Sequence, residues 1–215
     1  MPTATASKER PILFSGPMVR AIIEGRKTQT RRVLKPQPSC PATMFDYDYR
    51  GRAVCIWPAD HVTEEGLRPD YFAACPYGRV GDRLWVREAW WQPPIITSKL
   101  LREGADTWPK AGYAADGDTQ YEVLGWKKRP SIHMPRWASR ITLEITDIRV
   151  QRVREISDMD AMAEGVEWNR GPCRAGHTNP ISAFKSLWDS INSKRCFGWE
   201  VNPWAWAITF KRVEA

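Results

Sequence analysis

Two segments in the C-terminal part of the chain alternate strictly between apolar residues and polar or small residues. Ile141, Leu143 and Ile145 alternate with polar neighbours in the first, and tryptophans and other large apolar residues alternate with small or polar ones across 204–211 in the second. Successive side chains of a β-strand point to opposite faces, so a period of two predicts half-buried strands. We therefore expect strands at 141–148 and 204–212 that belong to one sheet system.

Three shorter segments carry the signals of helices. Ser15-Gly16-Pro17 begins a short helix that ends at Gly25, and Asn179-Pro180 begins a longer one. Ser157-Asp158-Met159-Asp160 resembles a capping box and begins a helix at 158–164 that ends at Gly165. Strands dispersed among short helices predict an α+β domain built on a small mixed β-barrel with short flanking helices.

Prolines and aromatic residues mark two long stretches without clear periodicity. The first, at about 35–79, is broken repeatedly by proline, and the second, at about 89–134, contains Trp90, Trp91, Trp108 and Trp126. Proline lacks the backbone N–H that helices and central strands need, so irregular structure is expected, with a hairpin around 53–57. The sequence predicts two irregular insertions in a single domain at 10–215, preceded by a flexible tail at 1–9.

The segment Gly25–Arg32 combines four cations and two hydroxyls with no carboxylate. Its β-branched residues favour an extended segment, in which Lys27, Gln29 and Arg31 share one face and Thr28, Thr30 and Arg32 share the other. A cationic strand that follows a glycine turn is suited to hold a phosphate or a polarised carbonyl. A solvated basic edge strand, protected by its charges from aggregation, explains the same residues.

Further candidate residues lie at the ends of predicted elements. Glu88 ends a predicted strand, where it either faces a cleft or neutralises a neighbouring arginine. Arg136, Ser139 and Arg140 precede the strand at 141–148 and are suited to bind an anion. Glu164 falls in the last turn of its helix, where the helix dipole disfavours a carboxylate, which indicates another role or simple surface tolerance.

The overall charge favours a polyanionic partner. The net charge is +7, the isoelectric point is about 9.3, and twelve tryptophans offer flat surfaces on which bases can stack. Solubility and core packing explain these same features in many proteins. Together they predict nucleic acid or a nucleobase-like ligand.

Several function classes find no support in the sequence. It contains no apolar run long enough to cross a membrane, no signal peptide, and no phosphate-binding loop or dinucleotide fingerprint. Five cysteines without a Cys-x-x-Cys pair predict free thiols in a reducing cytoplasm. Cys173 and His177 are only loosely spaced as zinc ligands are, so neither a metal nor another cofactor is expected.

Three motifs, in this order and spacing, resemble the ASCH domain family of the PUA-like superfamily. They are Gly25–Arg32, Gly81–Glu88 and Ala161–Gly165, and the strand at 204–210 suits the same family. The resemblance implies a PUA-like mixed β-barrel and a link to RNA and modified nucleosides. With the additional segment His133–Arg140, the chain looks like the larger ASCH proteins of bacteriophages and prophages.

One branch of this family, the small bacterial N4-acetylcytidine amidohydrolases, implies a catalytic set. Matched motif by motif, its lysine, threonine and glutamate fall on Lys27 as base, Thr30 as nucleophile or water-orienter, and Glu164 as orienter. Lys27 and Thr30 lie on opposite faces of an ideal strand, so the pairing requires a kink or bulge. The predicted substrate-binding residues are Arg26, Arg31, Glu88, Arg136, Ser139 and Arg140. A non-catalytic RNA-binding module and a metal-independent ribonuclease remain alternatives.

Overall fold

The computed structural model describes residues 7–38, 44–48, 52–57, 71–94, 109–117, 120–168 and 179–213. The described strands are β1 (Glu9–Leu13), β2 (Gln29–Val33), β3 (Met44–Tyr47), β4 (Ala53–Trp57), β5 (Tyr71–Ala74), β6 (Arg83–Arg87), β7 (Trp90–Gln92), β8 (Gly112–Tyr113), β9 (Lys127–Arg129), β10 (Thr142–Arg152) and β11 (Trp204–Val213). The described α-helices are α1 (Gly16–Ile23), α2 (Gln120–Val123), α3 (Asp158–Ala163) and α4 (Pro180–Asn192).

The main sheet has five strands in the order β1-β6-β10-β11-β2. β1 runs parallel to β6, and the other neighbours are antiparallel, so the sheet is mixed. The two strands predicted from alternation pair directly, with Ile145 opposite Phe210 and Ile148 opposite Ile208. The prediction of an α+β fold in which these strands share one sheet is confirmed.

The sheet separates two apolar clusters because β11 is buried on both faces. Trp206, Ile208 and Phe210 pack in the larger cluster together with side chains of β6 and β10. Ala205 points to the other face and packs with Phe184 and Trp188 of α4. The helix α4 therefore covers one face of the sheet near the end where β2 pairs with β11.

The two edge strands of the main sheet approach each other. Arg32 of β2 donates a hydrogen bond of 2.5 Å to the carbonyl oxygen of Leu13 in β1. Its guanidinium lies 5.2 Å from the ring centroid of Phe14, which in turn contacts Phe210 at 6.2 Å. Within the described ranges no β-ladder joins β1 to β2, so the sheet curls without closing there.

The prediction of irregular insertions is wrong for the parts of them that the structure describes. The first contains an antiparallel sheet in the order β3-β4-β5, and the second contains one in the order β8-β7-β9. The predicted hairpin around 53–57 is present as β3 and β4. Prolines misled the prediction because Pro58 and Pro69 fall in sequence between β4 and β5, where they do not interrupt a strand.

The helix boundaries follow the predicted capping signals. The Ser157 hydroxyl accepts a hydrogen bond of 3.1 Å from the backbone N–H of Asp160, and Asn179 accepts one of 2.7 Å from Ser182 N–H. β1 begins at Glu9, inside the predicted tail, and the domain bounds otherwise stay a prediction. No helix in the described ranges is long and apolar enough to cross a membrane.

Candidate functional site

Lys27 lies at the centre of a buried ionic cluster. Its side chain is 0 % exposed, and it follows the glycine turn at the end of α1, where a single bridge pairs it with Glu164. The ammonium donates three hydrogen bonds: 2.8 Å to Gln29 O, 2.8 Å to Glu164 O and 2.9 Å to Glu164 Oε2. All three donors of the ammonium are therefore used, which is the arrangement a buried charge requires.

Gly165 allows the close approach of Lys27 to the end of α3. Its φ is +77°, and a Cβ placed there would lie 2.7 Å from Lys27 Cβ and 2.9 Å from Ala21 Cβ. A side chain at this position is therefore excluded both by backbone conformation and by space. The glycine that ends the helix in sequence thus also holds Glu164 against Lys27.

Arg31 extends the cluster and bridges the carboxylates of Asp160 in α3 and of Glu164, the residue that caps this helix. Its Nη1 donates to Glu164 Oε1 at 3.3 Å and makes a short hydrogen bond to Gln29 Oε1. Its Nη2 donates to Asp160 Oδ2 at 2.8 Å and to Gln151 Oε1 at 3.1 Å. Because Asp160 and Glu164 are four residues apart on one face of a helix, a single planar guanidinium reaches both.

Burial and pairing change the pKa values in this cluster. Desolvation lowers the pKa of Lys27 below its ordinary 10.5, although the charge of Glu164 opposes that change. For Asp160, burial raises the pKa, but hydrogen bonding and the charge of Arg31 outweigh it, so the pKa falls below 3.8. Desolvation thus favours the neutral form of the lysine, and this is the form that can accept a proton.

A cavity of about 500 Å³ borders this cluster. Glu164, Thr30 and Arg31 line it on one side, and α4 lines it on the other. Its further apolar lining includes Tyr77, Phe184, Leu187, Trp188, Ile191 and Trp206. Its volume falls within the range of small-molecule sites, roughly 300–1,000 Å³. Glu164 is the residue that both binds Lys27 Nζ and faces the cavity.

The structure brings together most, but not all, of the predicted catalytic set. Lys27, Gln29 and Arg31 meet on one face of the extended segment, as alternation predicts. Thr30 lies on the other face of this segment, and the described residues show no hydrogen bond between it and Lys27. Thr30 and Glu164 nevertheless line the same cavity.

A second cluster contains two of the six predicted binding residues, Glu88 and Arg140. Arg140 binds Glu88 at 3.0 Å and Asp116 at 2.7 Å, and its guanidinium stacks 3.9 Å from the ring centroid of Tyr113. Glu88 is 1 % exposed, and burial raises its pKa above 4.5 although Arg140 opposes that change. Of the two interpretations of Glu88, these contacts fit the one in which it neutralises an arginine.

The remaining predicted binding residues are divided between separate places. Arg136 pairs with Glu9 at 2.8 Å, and the Ser139 hydroxyl donates to Val86 O at 2.8 Å. Both line a groove of about 340 Å³ whose arginines are Arg83, Arg136, Arg140 and Arg212. Arg26 is exposed and pairs with Glu24. The groove and the 500 Å³ cavity share no lining residue among those described, so the predicted binding residues do not form one site.

Sequence reasoning missed Asp160, Gln29 and Gln151 as parts of the buried cluster. Asp160 was interpreted only as part of the cap, yet its carboxylate binds Arg31, Gln29 and Arg149. The available signal was its spacing: Asp160 and Glu164 are four residues apart, and two carboxylates on one helix face need a cation opposite them.

No group of three or more His, Cys, Asp or Glu side chains that could hold a metal ion occurs in the described parts of the chain. Cys55 and Cys75 are buried free thiols, and burial raises the pKa of each to about 11. Cys40, Cys173 and His177 lie outside the described residues.

Comparisons with protein-family models, curated proteins and solved structures found no match for this chain. The resemblance to the ASCH domain family therefore stays a prediction, and the geometry above carries the functional argument.

Proposed function

We propose that this protein binds a modified pyrimidine nucleoside in the 500 Å³ cavity and hydrolyses an acyl amide on its base, as in N4-acetylcytidine. One observation carries the proposal: Glu164 binds the buried Lys27 ammonium at 2.9 Å and lines the same cavity as Thr30. Two of the three residues that the resemblance implies for catalysis, Thr30 and Glu164, border this cavity. The third, Lys27, is buried behind Glu164 and binds it across 137 positions in sequence.

The proposal includes a PUA-like barrel. The curl of the main sheet supports it, since Arg32 on one edge strand binds the Leu13 carbonyl on the other edge strand. A barrel places one end of its strands around a central cavity, and the cavity here lies where these two edges meet.

The cavity wall supports recognition of a base. Tyr77, Leu187 and Ile191 are the more accessible apolar residues of this wall, and stacking on an aromatic side chain is worth about 1–3 kcal/mol per base. Glu164 and Arg31 supply acceptor and donor groups at the polar end. Apolar walls with a few placed polar groups are typical of small-molecule sites.

In the proposed reaction, the Glu164 carboxylate, which borders the cavity, accepts a proton from a water molecule or from the Thr30 hydroxyl and passes it to neutral Lys27. The oxygen so activated attacks the acetyl carbonyl carbon, and a tetrahedral intermediate forms. The bond between that carbon and N4 then breaks, and N4 takes up the proton to give cytidine. Acetate is released directly if water is the nucleophile. If Thr30 is the nucleophile, its acetyl ester forms first, and a water molecule then hydrolyses that ester to acetate and restores the hydroxyl. Glu164 holds Lys27 in place and connects its amine with the cavity.

The test is chromatography of nucleosides after incubation of N4-acetylcytidine with the wild type and with Lys27→Ala, Thr30→Ala and Glu164→Ala. Cytidine is expected from the wild type, with turnover falling in each variant by about 100-fold or more because each contributes to general acid–base or nucleophilic catalysis. The loss should appear in kcat rather than in KM. Circular dichroism of each variant establishes that it is folded.

Thr28→Ala is the matched control for Thr30→Ala, because Thr28 is an exposed threonine two positions away that does not line the cavity. It should retain wild-type turnover. Equal turnover in Lys27→Ala and wild type would remove the lysine from the mechanism, and no cytidine from the wild type would reject the hydrolase.

A second candidate function, binding without catalysis, is favoured by the three hydrogen bonds of the Lys27 ammonium, since a fully paired lysine is a structural group. The ribonuclease alternative has less support, because Arg140 is held between Glu88 and Asp116 and lines a groove separate from the cavity. An RNA partner, a phage context and a cytoplasmic location stay predictions.

A further inference from the structure

The same cavity carries a group of cations that the proposed hydrolysis does not use. Arg32, Lys35 and Arg195 all line it, from β2, from the residues after β2 and from the turn after α4. Amide hydrolysis of a neutral nucleoside requires none of them. Their positions therefore call for an explanation of their own.

These three cations differ from Lys27 and Arg31 in their pairing. Within the described ranges, neither Arg32 nor Lys35 nor Arg195 forms a salt bridge with a carboxylate, whereas Lys27 and Arg31 bind Glu164 and Asp160. Arg32 and Lys35 instead lie over aromatic rings, at 5.2 Å from the centroid of Phe14 and 5.4 Å from that of Phe197. The aromatic rings position these cations without neutralising them.

Unused hydrogen-bond donors accompany this unpaired charge. The Nε atoms of Arg31 and Arg32 are buried, and neither finds an acceptor in the part of the chain that the structure describes. Buried polar groups normally have partners, and a donor without one costs about 1–3 kcal/mol. These Nε atoms are closed to a ligand in the cavity, so the inference rests on the outer ends of the cations that line it.

We infer that the cavity contains a phosphate subsite formed by Arg32, Lys35 and Arg195, so that its ligand is a pyrimidine nucleotide rather than a bare nucleoside. Arginine recognises phosphate with its planar fork, and lysine acts as a point charge beside it. The pyrimidine part of the inference rests on the proposed function. The phosphate part rests on the cations alone.

The geometry of the cavity wall allows the two parts of a nucleotide to be bound together. Tyr77, which is half-buried, lines the same cavity as Arg32, Lys35 and Arg195, so an aromatic side chain for the base and cations for the phosphate border one space. Aromatic surfaces next to cations are typical of sites that bind nucleotides and single strands.

The test measures the binding of three probes by calorimetry: cytidine, cytidine 5′-monophosphate and the dinucleoside monophosphate cytidylyl-(3′,5′)-cytidine. We expect at least one phosphate-containing probe to bind about tenfold or more tightly than cytidine, since each charge-assisted hydrogen bond is worth more than one order of magnitude. Tighter binding of the monophosphate assigns the subsite to a terminal phosphate. Tighter binding of the dinucleoside assigns it to a phosphodiester in a strand.

The double variant Lys35→Gln/Arg195→Gln should lose this advantage and retain its affinity for cytidine. Both side chains are exposed, so the variant is expected to fold. Lys194→Gln is the matched control, because Lys194 is an exposed cation next to Arg195 that does not line the cavity. Equal affinity for all three probes, or an advantage that survives in the double variant, would overturn the inference.

The two proposals can fail separately. Preferential binding of a phosphate-containing probe without hydrolysis of N4-acetylcytidine or of its 5′-monophosphate supports the subsite and rejects the amidohydrolase. Hydrolysis of both acetylated compounds with equal kcat/KM, together with equal binding of the three probes, supports the amidohydrolase and overturns the subsite.

Discussion

Two buried glutamates of this protein, Glu164 and Glu88, are alike in pairing and differ in surroundings. Each is at most 3 % exposed, and each binds an arginine that also binds a second carboxylate: Arg31 bridges Glu164 and Asp160, and Arg140 bridges Glu88 and Asp116. Arg31 is 1 % exposed, whereas Arg140 is 25 % exposed. Glu164 also binds a buried lysine and borders a cavity of about 500 Å³.

The difference shows that burial of an ion pair is weak evidence for function. Replacing a buried pair with apolar residues is often neutral for stability, so both clusters could be retained for specificity of folding or for activity. What distinguishes Glu164 is its position between a desolvated lysine and open space that a ligand can fill. Glu88 is also buried away from water, but it lines neither of the two cavities described above.

The largest expected effect comes from removing the cation of each cluster. Lys27→Met leaves Glu164 Oε2 and two buried carbonyl oxygens without their donor, so the free energy of unfolding should fall by about 3–5 kcal/mol. Arg140→Met should cost less, about 1–3 kcal/mol, because Glu88 can take up a proton. Urea denaturation at pH 7 measures both.

Equal losses in the two variants would contradict this distinction and make the two clusters energetically equivalent. The double variant Lys27→Met/Glu164→Gln provides a further check. It removes both charges of the pair, so it should be no less stable than Lys27→Met alone if the uncompensated carboxylate causes the loss.

The next effect concerns Gly165, which holds Glu164 against Lys27. Gly165→Ala places a Cβ 2.7 Å from Lys27 Cβ, so it should combine the strain of a positive φ with overpacking. Gly25→Ala is the matched control, because Gly25 has a φ of +74° and open space around the added carbon. We expect Gly165→Ala to cost at least about 1 kcal/mol more than Gly25→Ala in urea denaturation. Equal costs would mean that Gly165 serves the turn alone.

The sequence was sufficient to predict the parts of the fold that depend on local periodicity. The strands that became β10 and β11, the helix that ends at Gly165 and the shared face of Lys27 and Arg31 all follow from spacing over a few residues. Contacts between residues far apart in sequence were harder to predict. The misfit of Glu164 at its helix end indicated a role, but only the structure shows that Arg31 bridges it to Asp160.

The sheets in the two insertions and the division of the cations into two sites were not predicted. β3 and β4 form only a short hairpin, and β7 pairs with strands more than twenty residues away, so the strand patterns in the sequence were weak. The prolines therefore decided the prediction of irregular structure. Arg136 and Arg140 are cations near a strand end in sequence, as Arg31 is. Nothing in local spacing shows that they face a different groove.

The smallest expected effect is a difference in pH dependence, because it comes from single carboxylates that each bind one proton. Burial raises the pKa of Glu88 above 4.5, so the stability from its protonation is fully present below pH 4.5 and is lost as pH rises through the raised pKa. The pKa of Asp160 lies below 3.8, since Arg31 outweighs the opposing effect of burial. The stability from its ionisation is therefore present above pH 3.8 and is lost as pH falls through the lowered pKa.

Relative to the wild type, Glu88→Gln and Asp160→Asn should therefore change the free energy of unfolding at acidic pH in opposite directions. On acidification from pH 7 to about 4.5, the wild type should gain stability relative to Glu88→Gln, because the folded wild type binds the additional proton. Below pH 3.8, the wild type should lose stability relative to Asp160→Asn, because the ionised carboxylate that binds Arg31 is protonated. Urea denaturation of all three proteins at pH 7, 5, 4 and 3 measures both differences. Two parallel curves would mean that the bridging arginines hold both carboxylates in the same protonation state, and the contrast between the clusters would then reduce to the cavity beside Glu164.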